Sequence, residues 1–337
     1  MHTFMKSSAS HKSLLLVFLG VLLVLSFASL VIGASSYGVK EAFHWITGSA
    51  DQTAAAIFRF IRLPRTLACL LAGASLAVAG LLLQTALNNP LASPGIIGVN
   101  AGSGFFVVGA AILLPAVFWV RGLAAFSGAF LVALSVYALA MKTGASKTTI
   151  ILAGIAISSL VAAGTDTLIM LFPEAVMDRN AFFIGGFASI HQSVLLFSLP
   201  FILLGLLGSR LLVGRLDLLL LGDEVAASLG LNVRLCRFLT ILCASALAAS
   251  AVSIAGLIGF VGLIVPHIMR QLVGNELRIA LPANILFGAI LVLLSDITAR
   301  LVFSPYEIPA GILLSAIGTP FFLHLILSRR RHRFDLS

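Results

Sequence analysis

Ser13-Leu-Leu-Leu-Val-Phe-Leu-Gly20-Val-Leu-Leu-Val-Leu-Ser-Phe-Ala-Ser-Leu-Val-Ile-Gly33 carries no charged side chain. A helix needs about 20 such residues to cross the hydrocarbon core of a bilayer. Lys6 and Lys12 precede the run and give it the outline of a signal peptide. It is longer than a usual signal-peptide core, and further apolar runs follow, so it is expected to stay as a first membrane span. The rest of the chain is built the same way. Of its 337 residues 60% are hydrophobic and 10% are charged, whereas a soluble domain carries about 25% charged residues. In lipid only helices and closed barrels satisfy their own backbone groups. The short alternating segments of a barrel are missing, so the fold class is an all-α integral membrane protein.

Ten spans are expected, with both termini on one side: Ser13–Gly33, Arg65–Leu87, Ile96–Leu114, Gly122–Met141, Thr149–Phe172, Ser193–Leu207, Leu235–Ala251, Ile254–Met269, Pro282–Leu301 and Gly311–Leu327. With the N-terminus inside, the inner segments hold 14 of the 21 Lys and Arg residues. The outer segments hold Lys40, Arg59, Arg62, Arg65, Arg121, Arg179 and Arg300. The positive-inside rule therefore puts both termini in the cytoplasm. The formal charge of +9 does not point to nucleic acid, because the basic residues lie between apolar spans and form no domain. Cys69, Cys236 and Cys243 lack metal-ligand spacing and read as small packing residues. The chain is expected to be a single membrane domain over residues 1–337, with a polar inner connection at Leu211–Arg234.

Three stretches carry more than span content. The first runs from Arg62-Leu-Pro-Arg65 through Gly73 to Gly80 and Gln84, then Asn89-Pro90-Leu91-Ala92-Ser93-Pro94-Gly95 and Gly98 to Gly102. Its small residues permit close helix approach, and its two prolines break the helix at a tight turn. The second is Gly222-Asp223-Glu224-Val-Ala-Ala-Ser228-Leu229-Gly230. Its acids suit a helix N-terminus and Gly230 a C-terminus, giving a short rigid helix shaped for docking a partner or serving as a solvated connector. The third holds Gly256, Gly259 and Gly262, spaced as one packing face, before Pro266-His267-Ile-Met-Arg270. Beyond it, Asp296 and Arg300 are four residues apart on one helix face and can pair. Glu307-Ile-Pro309-Ala-Gly311 follows.

Taken in order, these stretches resemble the FecCD-type permease family, the membrane subunits of bacterial importers for iron–siderophore, haem and cobalamin. The resemblance covers nearly the whole chain from Arg62 onward. It implies a homodimer in the bacterial cytoplasmic (inner) membrane, two separate ATPase subunits that hold ATP and Mg, and an extracytoplasmic substrate-binding protein. It also implies roles. Gly222, Asp223, Glu224, Ser228, Leu229 and Gly230 would contact the ATPase. Asn89, Pro90, Leu91, Lys147 and Thr148 would narrow the inner mouth. Arg62, Arg65 and Arg300 would receive acidic residues of the binding protein. Arg59 joins them because it too lies where basic residues should be scarce. The alternative for these arginines is pairing with Asp296 or Glu307, or snorkelling toward lipid headgroups. Two departures stand out: Phe183-Ile-Gly-Gly186-Phe where the family often has Trp and then Gly-Ser, and Lys147 where small polar residues are common.

No enzyme or cofactor is expected in this chain. Gly144-Ala-Ser-Lys147-Thr148 lacks the glycine that a phosphate-binding loop places before its lysine. A membrane enzyme would cluster His, Asp or Glu, and the seven histidines are scattered, so no metal site is expected. An ion-coupled secondary transporter is the alternative function. It would pair ionisable residues within the membrane, yet only Asp166 sits inside a central span, with no cation in a neighbouring one. Asp166 is left as a path-lining residue or the owner of a structural hydrogen bond. Nothing in the sequence chooses among ferric siderophore, haem and cobalamin as the cargo.

Overall fold

The computed structural model describes residues 8–33, 37–114, 118–142, 146–173, 180–302 and 306–334. Lys6, Gly144, Arg179 and both chain ends lie outside them. Every regular element among the described residues is helical. The α-helices are α1 (Ser8–Val31), α2 (Val39–Ile46), α3 (Gln52–Ile57), α4 (Leu63–Ala86), α5 (Val99–Leu113), α6 (Phe118–Lys142) and α7 (Lys147–Leu171). They continue as α8 (Asn180–Ile184), α9 (Gln192–Leu220), α10 (Asp223–Ser228), α11 (Val233–Ala255), α12 (Val261–Val273), α13 (Leu277–Val302) and α14 (Ala310–Phe334). A π-turn at Phe58–Arg62 joins α3 to α4, and a 3-10 turn at Pro94–Ile97 leads into α5. Seven helices are long and apolar enough to cross a membrane, and Val99–Leu113, Val261–Val273 and Ala310–His324 are shorter apolar helices. Each expected span falls on one of these ten.

Helix α4 is the axis of the molecule. It packs against α9, α11, α12 and α13 and is buried over most of its length. Apolar side chains gain little from leaving lipid for one another, so helices in a membrane associate through close packing. The sequence Ala68-Cys-Leu-Leu-Ala-Gly-Ala-Ser-Leu-Ala-Val-Ala-Gly80 supplies a nearly smooth surface for it. A methyl group added at Gly73 would overlap the Gly288 carbonyl, and one at Gly80 the Gly262 carbonyl. A second crossing of the same kind joins Gly102 of α5 to Gly128 of α6. By contrast α1 is the least buried of the long apolar helices among the described residues, with Leu16, Val17, Leu23 and Val24 exposed.

Two boundaries differ from the sequence expectation. Helix α9 does not stop near Leu207 but runs on to Leu220. Its polar extension carries Asp217, whose carboxylate accepts the Leu277 amide at the start of α13. The expected glycine face of the eighth span does not form, because α11 ends at Ala255 and α12 begins only at Val261. Gly256 lies outside the helix at φ +71°, and Phe260 stands at φ +65°. Gly262 packs against Gly80, Gly256 packs against the Phe182 backbone instead, and nothing lies close to Gly259.

Candidate functional site

Two clusters of charge sit at opposite ends of α4. At its N-terminal end, Arg65 donates from Nη2 to Oδ1 of Asp296 at 2.9 Å and from Nη1 to Oε2 of Glu307 at 2.8 Å. Arg300 reaches the other Asp296 oxygen at 3.1 Å. Arg300 also donates to the carbonyls of Ser29 and Ile32, and Arg62 to those of Leu30, Val31 and Tyr37. The last carbonyls of a helix have no intrahelical partner and carry partial negative charge. Here two guanidinium groups satisfy those of α1 and rivet it to α4 and α13. The three arginines and Asp296 are all buried, with Asp296 only 1% exposed. The three arginines still line a cavity of about 200 Å³ together with Gly33, Ile57, Ile61 and Glu307. Three guanidinium groups against two carboxylates leave that cavity positive. Arg59 stands apart and is exposed.

At the other end of α4 the chain turns sharply. The amides of Asn88 and Asn89 donate back to Thr85 and Gln84, with Asn88 at φ +45°. Asn is one of the few residues other than Gly that accepts this left-handed position. Asn89 Oδ1 then accepts the Leu91 amide at 2.9 Å, which tightens the turn. Nearby lies α10. Its C-terminus is closed by Gly230 N–H to Ala227 O and Leu231 N–H to Ala226 O, with Gly230 at φ +83°. That pair of bonds is the Schellman arrangement, which needs a left-handed residue such as glycine at this position. Only Ala226 of α10 is buried, and Leu221, Val225 and Leu229 are exposed.

Asp223, the first residue of α10, ties this end together. Its Oδ1 lies 3.1 Å from Nζ of Lys147 at the start of α7. Its Oδ2 accepts from Arg237 of α11 at 2.7 Å. Arg237 in turn donates through Nε to the carbonyl of Ala86, the last residue of α4, at 3.2 Å. Burial pushes the Asp223 carboxyl up, but the hydrogen bonds and charges of Arg237 and Lys147 outweigh it and hold the group below the usual carboxylate range.

The family model of the FecCD transport family matches residues 21–328. The chain belongs to that family. The Fe(3+)-citrate import system permease protein YfmD of Bacillus subtilis is 39% identical over 320 residues, which cover 93% of this chain and 95% of that protein. The hemin transport system permease protein HmuU of Yersinia pestis is 35% identical over 332 residues, covering 95% and 97%. Among solved structures, an inward-facing metal-chelate type ABC transporter matches with a TM-score of 0.81 and 32% identity. The match covers 94% of this chain and 99% of that one.

In this FecCD-family permease the predicted residues fall into separate places. Gly222, Asp223, Glu224, Ser228, Leu229 and Gly230 form the short helix α10 and its two ends. Lys147 and Thr148 open α7 and are joined to α10 by the Lys147–Asp223 pair. Asn89, Pro90 and Leu91 follow α4 just beyond the carbonyl that holds Arg237. Asp166 lies near the far end of α7, on a face that is exposed along the helix together with Thr148, Leu152, Ser159 and Thr167. Arg62, Arg65 and Arg300 turn into the chain rather than out of it. Arg237 was the residue the sequence analysis passed over as a topology signal. A cation inside an otherwise apolar helix was the available clue, since such a group needs a partner. Among the described residues no three His, Cys, Asp or Glu side chains gather as a metal site would require.

Proposed function

We propose that this permease carries a ferric siderophore-type chelate into the cytoplasm as half of a homodimer, driven by two separate ATPase subunits and fed by an extracytoplasmic binding protein. The ten apolar helices all cross the membrane, and both termini lie in the cytoplasm. The Asp223 end of α4 then faces the cytoplasm and the Arg65 end faces outward. The protein sits in the bacterial cytoplasmic membrane, and ATP and Mg are held by the partners.

The observation that carries this reading is α10, a rigid, capped helix that presents Leu221, Val225 and Leu229 to its surroundings. Exposed apolar side chains on a projecting polar segment suit a protein partner. The turn at Asn89–Leu91 and the start of α7 narrow the inner mouth. The exposed face of α7 supports the dimer, because Asp166 facing lipid would be costly. A second copy, with a water-filled path between the two, gives that carboxylate a solvent. Relatives named for ferric citrate and hemin support the chelate class. On the outer side, an acidic group of the binding protein is drawn to the positive cavity lined by Arg62, Arg65 and Arg300, and the exposed Arg59 adds to the same docking face. Charge pairs at such a contact steer association more than they add affinity.

Reconstitution of the permease with its ATPase and binding protein in vesicles tests the proposal. Uptake of a radiolabelled ferric chelate should require ATP on the ATPase side and the binding protein on the opposite side. Uptake driven by an ion gradient without ATP would overturn it in favour of a secondary transporter.

A further inference from the structure

We infer that Asp223 is an ionic joint that passes a displacement of α10 to the inner mouth, holding the first residue of α7 through Lys147 and the end of α4 through Arg237. This rests on the assignment of α10 as the ATPase contact, and it names how that contact reaches the path. Each carboxylate oxygen serves a different cation, Oδ1 for Lys147 at 3.1 Å and Oδ2 for Arg237 at 2.7 Å. The three residues come from three different helices, and Arg237 adds a fourth by donating to the Ala86 carbonyl. One side chain therefore connects α10 with both elements assigned to the inner mouth.

The two arms of the joint are unequal. The Arg237 side chain is 4% exposed, and its guanidinium is shared between Asp223 and a buried carbonyl. A buried cation that loses its carboxylate is left with a large desolvation penalty, so this arm is the fixed one. The Lys147 side chain is 29% exposed, and its flexible stem can exchange the carboxylate for water at little penalty. This arm is the one that opens. Helix α10 packs on α9 and α11, and its closed C-terminus lets it move as a unit. Helix α7 is open along one face and is the element free to respond. When α10 shifts with its ATPase, the Lys147 contact breaks and the first turn of α7 is released. When α10 returns, the contact re-forms.

Asparagine at 223 has nearly the same shape but offers one acceptor oxygen and turns an amide donor toward one of the two cations. The complete importer in vesicles, with Asp223→Asn, with Lys147→Gln and with both, tests the joint. Chelate transported per ATP hydrolysed is expected to fall by about tenfold in each single variant, the scale of one charge-assisted contact. The double variant should fall no further, because both changes remove the same contact. Labelling of Thr148→Cys by a membrane-impermeant thiol reagent should depend on nucleotide in the otherwise native protein and lose that dependence in both variants. A purely structural role would lower yield without moving either readout.

An unchanged transport ratio in both single variants, or losses that add in the double, would overturn the joint. So would an Asp223→Asn permease that no longer retains the ATPase while Lys147→Gln behaves as native, since Asp223 would then be a direct docking contact. If Asp223→Asn does not fold, Lys147→Gln alone decides on the same two readouts. Failure of the underlying assignment looks different: Glu224→Ala and Gly230→Leu complexes would both remain assembled and fully coupled.

Discussion

The cluster at the N-terminal end of α4 and the cluster at its C-terminal end use the same chemistry in opposite ways. Both centre on an aspartate shared by two cations. Asp296 is 1% exposed and is held by Arg65 and Arg300, whose own side chains are 11% and 4% exposed. The Asp223 side chain is 41% exposed, and one of its partners is a lysine whose side chain is 29% exposed. About 30 Å of helix, at 1.5 Å per residue, separates Arg65 from Ala86. The first cluster is a clamp, buried around the orphan carbonyls of α1. The second is a joint, with one buried arm and one wet arm. Burial decides the difference. An ion pair deep in the chain cannot be opened without stranding a charge, whereas one at the surface exchanges with water at little penalty.

The sharpest way to break this comparison is to neutralise both aspartates and measure stability. Asp296→Asn should lower the unfolding free energy of the purified permease by about 3–5 kcal/mol, since it takes the carboxylate from buried Arg300 and leaves buried Arg65 with Glu307 alone. Thermal unfolding in detergent, read beside Asp223→Asn, checks it. Equal losses in the two variants would erase the distinction between clamp and joint.

A smaller effect is expected midway along α4. Gly80→Val places side-chain atoms where the Gly262 carbonyl lies, so α4 and α12 must separate. A loss of about 1–3 kcal/mol follows from overpacking of this kind. A native unfolding midpoint would mean that the two ends are not held in register by this crossing.

Smaller again is Gly230→Ala. A side chain at φ +83° costs about 1–2 kcal/mol, and the closing bonds of α10 loosen. Hydrogen exchange should quicken at the α10 amides while those near Arg65 stay protected. Unchanged exchange at α10 would show that its rigidity does not depend on the glycine cap.

The smallest effect is the stability contribution of the Lys147–Asp223 contact, about 1 kcal/mol or less at a partly exposed pair. The Asp223 carboxyl is held below the usual range by Arg237 and Lys147, the charged groups that face it. A carboxyl whose folded pKa is lowered stabilises the fold above its ordinary pKa and loses that contribution as pH falls through the lowered value. The gap between the native protein and Asp223→Asn should therefore be flat across the neutral range and close only in acid. A gap that changed between mildly acidic and mildly basic solution would point to another titrating group.

Much of this was legible in the residues. The pairing of Asp296 with Arg300 follows from a four-residue spacing on one helix, and the closed C-terminus of α10 from its glycine. Hydropathy located the seven long apolar helices among the described residues, because transfer of a long apolar run out of water is a local property that each segment carries by itself. What the sequence could not supply was the neighbour. Arg62 and Arg300 were known as cations in an unexpected place, but their target is the C-terminus of α1, 32 and 271 residues away for the Leu30 and Ser29 carbonyls. Lys147 and Asp223 were assigned to separate tasks, and Arg237 was counted only for its charge. Propensity and periodicity report on residues within a turn or two of each other. Which charges meet depends on which helices lie side by side, and that was decided by small residues such as Gly73, Gly80 and Gly262 letting backbones touch at particular crossings.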